Sequence, residues 1–280
     1  MTMTYTDITR SALAVALDAA ETAGQRLTEH FGNSTATVKR DGSLITKADM
    51  EADDLLARRL RQSFPEHGIL SEEKDTTYHG QEYVWVIDPL DGTNNFALGL
   101  PFWGISIALL HRGELLLSVL EYPLLRERAW AIRGQGAFYK GVRFHARPDA
   151  GFGKNEFIAL GSRSWRYLDI HLPNKPRVIG CASYDLLLVA RGVCTLGCLI
   201  NPHIWDIAGG YLVIQEAGGV VAPLISEAPP PFPLQPRRDY GRQAFPTLSG
   251  ANAEVFHQGE PSIHLKPSAS SQLRQLIASS

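Results

Sequence analysis

Hydrophobic residues near the start of the chain recur every three or four positions, the spacing of one face of an α-helix. From Ile8 to Phe31 this spacing predicts one helix, and the following Gly32 is a residue type that commonly ends helices. A second helical pattern runs from Thr46 to Phe64 and meets Pro65, whose ring cannot continue a helix. The chain is therefore predicted to begin with two amphipathic helices.

The middle of the chain changes to short runs of β-branched and aromatic residues, which favour strands. They occupy residues 68–70, 83–87, 105–110, 115–120, 128–133 and 137–139. The third and fourth runs flank the turn sequence at residues 111–114, which indicates a β-hairpin. Together these runs predict a sheet that is mainly antiparallel.

In the second half, strand-like and helical segments alternate, which is typical of layered α/β structure. Strands are predicted at residues 156–160, 178–179, 194–200 and from 220 onward, and helices at 184–191 and 206–216. Residues 222–242 are rich in proline, so no regular element is predicted there. We divide the chain into an N-terminal α+β half (1–147), a C-terminal α/β half with a proline-rich insertion (148–264) and a flexible tail (265–280).

The composition of the chain excludes some classes of partner and of structure. The chain has 280 residues, of which 44% are hydrophobic and 20% charged, with a formal net charge of −2. Such a charge does not attract polyanions, so no nucleic-acid and no membrane partner is expected. Three cysteines cannot form a paired disulfide framework, and no secretory signal is visible at the N-terminus, so a cytoplasmic location is expected.

The segment that carries candidate chemistry follows the predicted strand at 83–87 and is Asp88-Pro89-Leu90-Asp91-Gly92-Thr93. A carboxylate at the end of an apolar strand is unfavourable unless a cation compensates it. Pro89 provides no ladder donor, so the strand is predicted to stop there and both aspartates can turn to one side. Gly92 allows successive N–H groups to face one concavity, which suits a phosphate. Carboxylates beside phosphate are a typical Mg²⁺ environment, although two aspartates capping a helix remain an alternative.

Further carboxylates occur where elements begin or end. Glu72 follows the predicted strand at 68–70, Asp206 begins a helical pattern, and Asp49 lies near the start of the second helix. For the two aspartates a structural explanation is also available, because negative charge near a helix N-terminus is stabilising.

Three strings together resemble the inositol monophosphatase family. They are Ser71-Glu72-Glu73, the run Asp88-Pro89-Leu90-Asp91-Gly92-Thr93-Asn94-Asn95-Phe96, and Trp205-Asp206-Ile207-Ala208-Gly209-Gly210. The similarity extends from about residue 38 to residue 221. The resemblance implies an α/β (α+β) fold, a layered αβαβα sandwich of two sheets with flanking helices and the active site between the sheets. Members are commonly homodimers, so a homodimer is expected.

The resemblance also implies the site residues. Glu72, Asp88 and the Leu90 carbonyl would hold one Mg²⁺, and Asp88, Asp91 and Asp206 a second, with a third, weaker ion near Glu72. The catalytic residues would be Glu72, Thr93 and Asp49, which together position the attacking water. The substrate and its phosphate would contact Gly92, Thr93, Asn94, Cys181, Ala182 and Leu199, and Lys39 could contribute positive charge.

The implied function is an Mg²⁺-dependent phosphomonoesterase that hydrolyses a small hydroxylated phosphate ester, similar to inositol 1-phosphate or a sugar phosphate, by metal-activated water. In inositol-selective members an acidic residue seven positions before the W-D aspartate contacts substrate hydroxyls. Here that position is Leu199, which cannot accept a hydrogen bond through its side chain. Adenosine 3′,5′-bisphosphate, fructose 1,6-bisphosphate and histidinol phosphate therefore remain alternative substrates.

Two alternatives belong to other classes. Haloacid dehalogenase-type phosphatases place one residue between their two aspartates, whereas Pro89 and Leu90 separate Asp88 from Asp91, which disfavours covalent catalysis. A non-catalytic regulatory or binding protein on the same scaffold is also conceivable, because fold does not fix function. The retained set Glu72, Asp88, Asp91, Thr93 and Asp206 favours the enzyme.

Overall fold

The computed structural model of the chain describes residues 5–32, 36–38, 44–225 and 228–267. Lys39 and residues 268–280 of the predicted tail lie outside this part. The helices are α1 (Tyr5–His30), α2 (Lys47–Ser63), α3 (Thr93–Ala97), α4 (Ser164–Tyr167), α5 (Ala182–Ala190), α6 (Ile204–Glu216) and α7 (Ala253–Gly259). Among the described helices, none has both the length and the apolar character needed to cross a bilayer.

Most strands belong to two large sheets, and the others form three small two-stranded ladders. The strands are β1 (Ala36–Val38), β2 (Leu44–Thr46), β3 (Gly68–Ser71), β4 (Thr77–Tyr78), β5 (Tyr83–Asp91), β6 (Gly104–His111), β7 (Glu114–Tyr122), β8 (Glu127–Ile132), β9 (Gly136–Tyr139), β10 (Val142–Phe144), β11 (Phe157–Leu160), β12 (Leu168–Ile170), β13 (Lys175–Arg177), β14 (Cys194–Leu199), β15 (Val220–Pro223), β16 (Arg238–Asp239), β17 (Thr247–Gly250) and β18 (Ile263–Leu265).

The first large sheet has seven strands in the order β10-β9-β8-β7-β6-β5-β3. All neighbours are antiparallel except β3 and β5, which run parallel. The predicted hairpin joins β6 to β7 through Arg112 and Gly113, which both have positive φ angles, as a tight hairpin turn requires. The mainly antiparallel first sheet is thus confirmed.

The second large sheet has five strands in the order β13-β11-β14-β17-β15 and mixes parallel with antiparallel pairs. Helices α1 and α2 cover one face of the first sheet with a core rich in alanine and leucine. Helices α5 and α6 fill the space between the two sheets. Helix α7 packs on the far face of the second sheet, where Phe256 contacts the cluster around Leu196. The layers therefore follow the expected αβαβα order.

Some sequence-based predictions were wrong in detail. Strand β5 does not stop at Pro89 but continues to Asp91, because a register shift between Asp88 and Asp91 accommodates a residue without a ladder donor. The strand predicted at residues 178–179 is instead β13, at Lys175–Arg177, where the edge of β11 provides its pairing partner.

The proline-rich stretch is also more ordered than predicted. Strand β15 reaches Pro223, and Arg238–Asp239 pairs with β4. Leu234 is buried, and its N–H donates a hydrogen bond to the Gly113 carbonyl in the β6–β7 turn. At the start of the predicted tail, Leu265 of β18 pairs with Leu168 of β12, and the Lys266 N–H donates a hydrogen bond to the Tyr167 carbonyl. These first tail residues are therefore held to the rest of the fold.

Candidate active site

Two neighbouring parallel strands bring the first carboxylates together. Asp88 lies near the end of β5, and Glu72 directly follows β3. Ser71 pairs with Ile87 in the parallel ladder, so the carboxyl ends of the two strands meet at one edge of the sheet. Asp88 is only 1% exposed, because the apolar strand carries it into the layer between sheet and helices.

The third carboxylate comes from the first turn of α6. The Asp206 side chain accepts a hydrogen bond from the His203 N–H at 2.8 Å, which fixes its orientation at the helix start. The helix can approach the sheet because Gly209 has no side chain. A methyl group at Gly209 would lie 2.6 Å from both Leu120 Cδ2 and Ser106 Oγ, closer than any packing allows. The W-D-x-A-G string thus combines an acidic ligand with a close helix–sheet contact.

These three side chains converge. One oxygen from each of Glu72, Asp88 and Asp206 lies within 4.8 Å of the others. Burial raises the pKa of Asp88 well above its usual value, and the nearby Glu72, Asp91 and Asp206 raise it further. Burial, followed by Asp91 and Glu72, likewise raises the pKa of Asp206. Acidic oxygens that repel one another in a buried position are stabilised by a hard divalent cation, so this donor set fits Mg²⁺.

The other two predicted metal ligands have protein partners. Asp91 accepts hydrogen bonds from the first residues of α5: Cys181 Sγ at 3.1 Å, Ala182 N at 3.1 Å and Ser183 N at 2.6 Å. The Leu90 carbonyl accepts the Thr93 hydroxyl at 3.0 Å. Asp91 therefore connects the first sheet to a helix of the second half and lies beside the three-carboxylate cluster.

Thr93 and Asp49 are brought into contact as predicted. Thr93 Oγ1 lies 3.2 Å from Asp49 Oδ1. Asp49 is 1% exposed and accepts further hydrogen bonds from the N–H and hydroxyl of Thr46, the N-cap of α2. Burial raises the pKa of Asp49, partly offset by the hydrogen bonds from Thr46 and Thr93. A capping box thus places this carboxylate beneath Thr93.

Helix α3 begins at Thr93, and its first backbone N–H groups have no acceptor within the helix. Its N-cap, Gly92, has a φ of 87°, the left-handed region that favours glycine. A methyl group there would also lie 2.8 Å from the Phe102 carbonyl oxygen. Thr93 and Asn94 are the first two residues of the helix, so their amides are among those without a partner inside it.

A cleft of about 210 Å³ adjoins the cluster. It lies between the end of β5, the start of α5 and the end of β14. Its lining comprises Asp91, Gly161, Ser162, Arg163, Gly180, Cys181, Ala182, Asp185, Leu199, Ile200, Asn201, Pro202 and Asp206. The predicted substrate residues Cys181, Ala182 and Leu199 are thus together in one cleft, and Leu199 gives its wall an apolar patch.

Sequence reasoning missed three polar residues of this region. Asn95 donates hydrogen bonds to the carbonyls of Phe102 and Ile179 at 2.7 and 2.9 Å and so ties two loops at the cleft. Asp185 is buried in the cleft lining. Asn95 stands within the quoted family string, which was the available signal for it.

The third missed residue, Asp53 of α2, is fully buried and holds the turn that carries Glu72. The Ser71 hydroxyl, just before Glu72, donates to Asp53 Oδ1. Lys74 Nζ, just after it, lies 3.4 Å from Asp53 Oδ2 and also pairs with the exposed Asp54. Helix α2 therefore supports both Glu72, through Asp53, and Thr93, through Asp49.

Comparison with known proteins gives a consistent result. The sequence profile of the inositol monophosphatase family matches residues 9–244. A fructose-1,6-bisphosphatase/inositol-1-monophosphatase of Thermotoga maritima is 31% identical over 209 residues, covering 71% of this chain and 79% of that protein. A histidinol-phosphatase of Chlorobaculum parvum is 32% identical over 219 residues, covering 74% of this chain and 83% of that protein.

The fold has a close counterpart among solved structures. The crystal structure of the extragenic suppressor protein suhB from Bartonella henselae matches with a TM-score of 0.77 and 26% sequence identity. The match covers 90% of this chain and 98% of that one. The sequence comparisons therefore show the family, and the solved structure shows that the fold is shared along nearly the whole chain.

Proposed function

The chain belongs to the inositol monophosphatase family and is a phosphomonoesterase, and we propose that it uses Mg²⁺ to hydrolyse small hydroxylated phosphate esters. The observation that carries the metal dependence is the convergence of Glu72, Asp88 and Asp206 within 4.8 Å beside a cleft. Three acidic residues so close together need a cation to be stable in their charged form.

In this proposal Glu72, Asp88 and Asp206 bind the metal, and Asp91 and the Leu90 carbonyl contribute to the two or three ions expected for the family. Bound Mg²⁺ would neutralise phosphate oxygens and lower the pKa of a coordinated water. The raised pKa of Asp88 and of Asp206 supports this assignment, because a nearby cation would return both groups to their charged form.

The remaining polar groups position the reactants. Glu72 and Thr93 orient the attacking water. The single Thr93 hydroxyl hydrogen has two acceptors within reach, Asp49 and the Leu90 carbonyl, so the Thr93 oxygen keeps its lone pairs to accept a hydrogen bond from water. The amides of Gly92, Thr93 and Asn94 bind the phosphate, since the first N–H groups of a helix are well placed for an anion. Positioning and electrostatic stabilisation are the main requirements of phosphoryl transfer.

The organic part of the substrate occupies the cleft with Cys181, Ala182 and Leu199. The small volume of about 210 Å³ supports a compact ester, since drug-sized ligands occupy roughly 300–1,000 Å³. We propose an ester similar to inositol 1-phosphate or a sugar phosphate. The names of relatives make fructose 1,6-bisphosphate and histidinol phosphate further test substrates, and adenosine 3′,5′-bisphosphate is a third.

We also propose a homodimer. Leu98, Leu100 and Val178 are 77%, 48% and 56% exposed, and Asn95 ties their two loops together near the cleft. An exposed apolar surface of this kind is typical of a site covered by a partner. Sedimentation velocity should give twice the monomer mass, and Leu98→Lys should shift the equilibrium to monomer. A cytoplasmic location is part of the same proposal and is testable by cell fractionation.

A phosphate-release screen tests the proposed activity. The purified chain is incubated with each of the esters above and with p-nitrophenyl phosphate, with Mg²⁺ and with EDTA. We expect release with Mg²⁺ and none with EDTA. Absence of release from every ester would instead favour the non-catalytic regulatory or binding protein.

A further inference from the structure

Asp185 is a buried carboxyl group in the cleft that has no role in the site described above. It lies in α5, is 2% exposed and contributes to the cleft lining. Neither of its side-chain oxygens has a hydrogen-bond partner. Among the described residues no lysine, arginine or histidine forms an ion pair with it, and Arg163, in the same cleft lining, is exposed.

A helix-capping role does not explain Asp185. An aspartate in the first turn of a helix commonly accepts hydrogen bonds from the first amides. In α5, however, the Ala182 and Ser183 amides donate to Asp91 instead. The backbone N–H of Asp185 bonds to the Cys181 carbonyl, as in any helix. The carboxyl group is thus left without the partners that its position would ordinarily provide.

A buried carboxyl group without partners is unfavourable. Its removal from water is unfavourable unless hydrogen bonds or a cation replace the water. Burial and the nearby Asp91 raise the pKa of Asp185 well above its usual value. Groups kept in such a position inside a cleft commonly serve a ligand.

Asp185 of α5 and Leu199 of β14 line the same cleft. Residues 191–193 turn the chain back from α5 to β14, so the helix and the strand run in opposite directions. Val189 packs over Gly197, where a methyl group would lie 2.9 Å from Val189 Cγ2. Asp185 is one helical turn earlier on the same face, and it lines the same cleft as Leu199.

We propose that Asp185 binds a hydroxyl group of the substrate's organic part and is the specificity-determining polar residue of the cleft. The inference rests on the proposed phosphatase function and names its substrate class, a polyhydroxylated phosphate ester. Leu199 cannot bind a hydroxyl group, whereas a carboxyl group from the facing helix can. A carboxylate would accept the hydroxyl hydrogen, and a carboxylic acid could also donate one.

The test compares substrates that differ in hydroxyl groups. We would measure kcat/KM of the full chain and of Asp185→Asn and Asp185→Leu with Mg²⁺. The substrates are myo-inositol 1-phosphate, fructose 1,6-bisphosphate, histidinol phosphate and p-nitrophenyl phosphate, whose organic part has no hydroxyl group. For Asp185→Leu we expect a tenfold to hundredfold larger loss on the best polyol ester than on p-nitrophenyl phosphate, because a hydroxyl group of the bound ester is left without its hydrogen-bond partner. Asp185→Asn, which keeps an acceptor, should lose less.

The outcomes separate this inference from the proposed function. If the unaltered chain releases phosphate from p-nitrophenyl phosphate and Asp185→Leu loses equally on all esters, the Asp185 assignment is wrong while the phosphatase function stands. A selective loss on histidinol phosphate alone would show that the group binds an ammonium and not a hydroxyl, which also overturns the proposal. If the unaltered chain hydrolyses nothing, the proposed function itself fails.

Thermal unfolding without substrate supplies a second measurement. Asp185→Asn should keep or raise the melting temperature, because an uncompensated buried carboxyl group is removed. The matched control is Asp53→Asn, a buried aspartate with partners, which should lower it. A clear drop for Asp185→Asn would mean that the carboxyl group stabilises the fold, and the proposal would be wrong.

Discussion

The two walls of the cleft differ in whether their buried carboxyl groups have hydrogen-bond or ion-pair partners. On the wall formed by α2, β3 and β5, which we call the metal-side wall, the supporting residues Asp49 and Asp53 have side-chain partners. On the wall formed by α5, β14 and the start of α6, which we call the substrate-side wall, Asp185 has none and Leu199 is apolar.

The contacts of the metal-side wall are formed before any ligand binds, whereas a polar group of the substrate-side wall remains available to a ligand. The contacts of Asp49 and Asp53 hold Thr93 and the Glu72 turn in place, so the metal-side wall needs little rearrangement to act. The substrate-side wall keeps a polar group unsatisfied in the protein alone. Apart from Asp206 at the start of α6, the groups that we propose to act on every ester therefore lie on the metal-side wall, and the group that we propose to discriminate between esters lies on the other.

The strongest test of the metal-side wall is Asp88→Asn. We expect turnover to fall by about a thousandfold or more, since one of the three converging carboxylates proposed to bind metal is lost. Stability without metal should be unchanged or higher, because Asp88 is buried among like charges. Phosphate release and metal-free thermal melts check the two parts; a variant with near-normal turnover would remove Asp88 from the site.

Asp91 joins the two walls, so Asp91→Asn should impair both. Turnover should fall strongly, and the free energy of unfolding should decrease by about 2 kcal/mol, because an amide cannot accept all three donors of α5. Chemical denaturation of both variants distinguishes Asp91 from Asp88. Equal stabilities for Asp91→Asn and the unaltered chain would contradict the connecting role.

Asp53→Asn tests the support beneath Glu72. We expect the Mg²⁺ concentration for half-maximal activity to rise by about tenfold, because Ser71 and Lys74 lose their common charged partner. The matched control is Asp54→Asn, which removes the exposed partner of the same lysine and should have almost no effect. Similar metal dependence for both variants would show that the buried contact is unimportant.

The smallest expected effect concerns pH and the substrate-side wall. The folded pKa of Asp185 is raised above the unfolded value near 3.9. Between these values the folded chain holds a proton that the unfolded chain has released, so stability is highest at low pH and falls as pH rises through this window. Asp185→Asn should make the metal-free stability curve flatter above about pH 4, because the titrating group is removed. An unchanged slope would mean that Asp185 does not titrate abnormally.

The sequence predicted elements well where one local pattern decides them. The 3.6-residue periodicity located α1 and α2, and the paired apolar runs located the β6–β7 hairpin. The convergence of Glu72 with Asp88 also followed from sequence, because both residues end apolar strands. The predicted end of β5 at Pro89 was wrong, because proline interrupts a regular ladder but is tolerated at a bulge, as in β5.

What could not be predicted depends on partners distant in the chain. The helical pattern at residues 184–191 showed an aspartate among apolar residues, as many helix starts do. Nothing local reveals that Asp91 takes the amides of α5 and leaves Asp185 without partners. Likewise, the hydrogen bond from Ser71 to Asp53 and the ion pair between Lys74 and Asp53 depend on how α2 packs beside β3.

The glycine of α6 that faces the sheet has one more consequence. With hydrogen in place of a side chain, Gly209 lets the helix rest directly on Leu120 and Ser106. Because Gly209 has no side chain, it sets how closely α6 approaches the sheet, and therefore the distance between Asp206 and Asp88. An alanine at position 209 would require the side chains of Leu120 and Ser106 to move aside, or it would shift α6 and carry Asp206 away from Asp88.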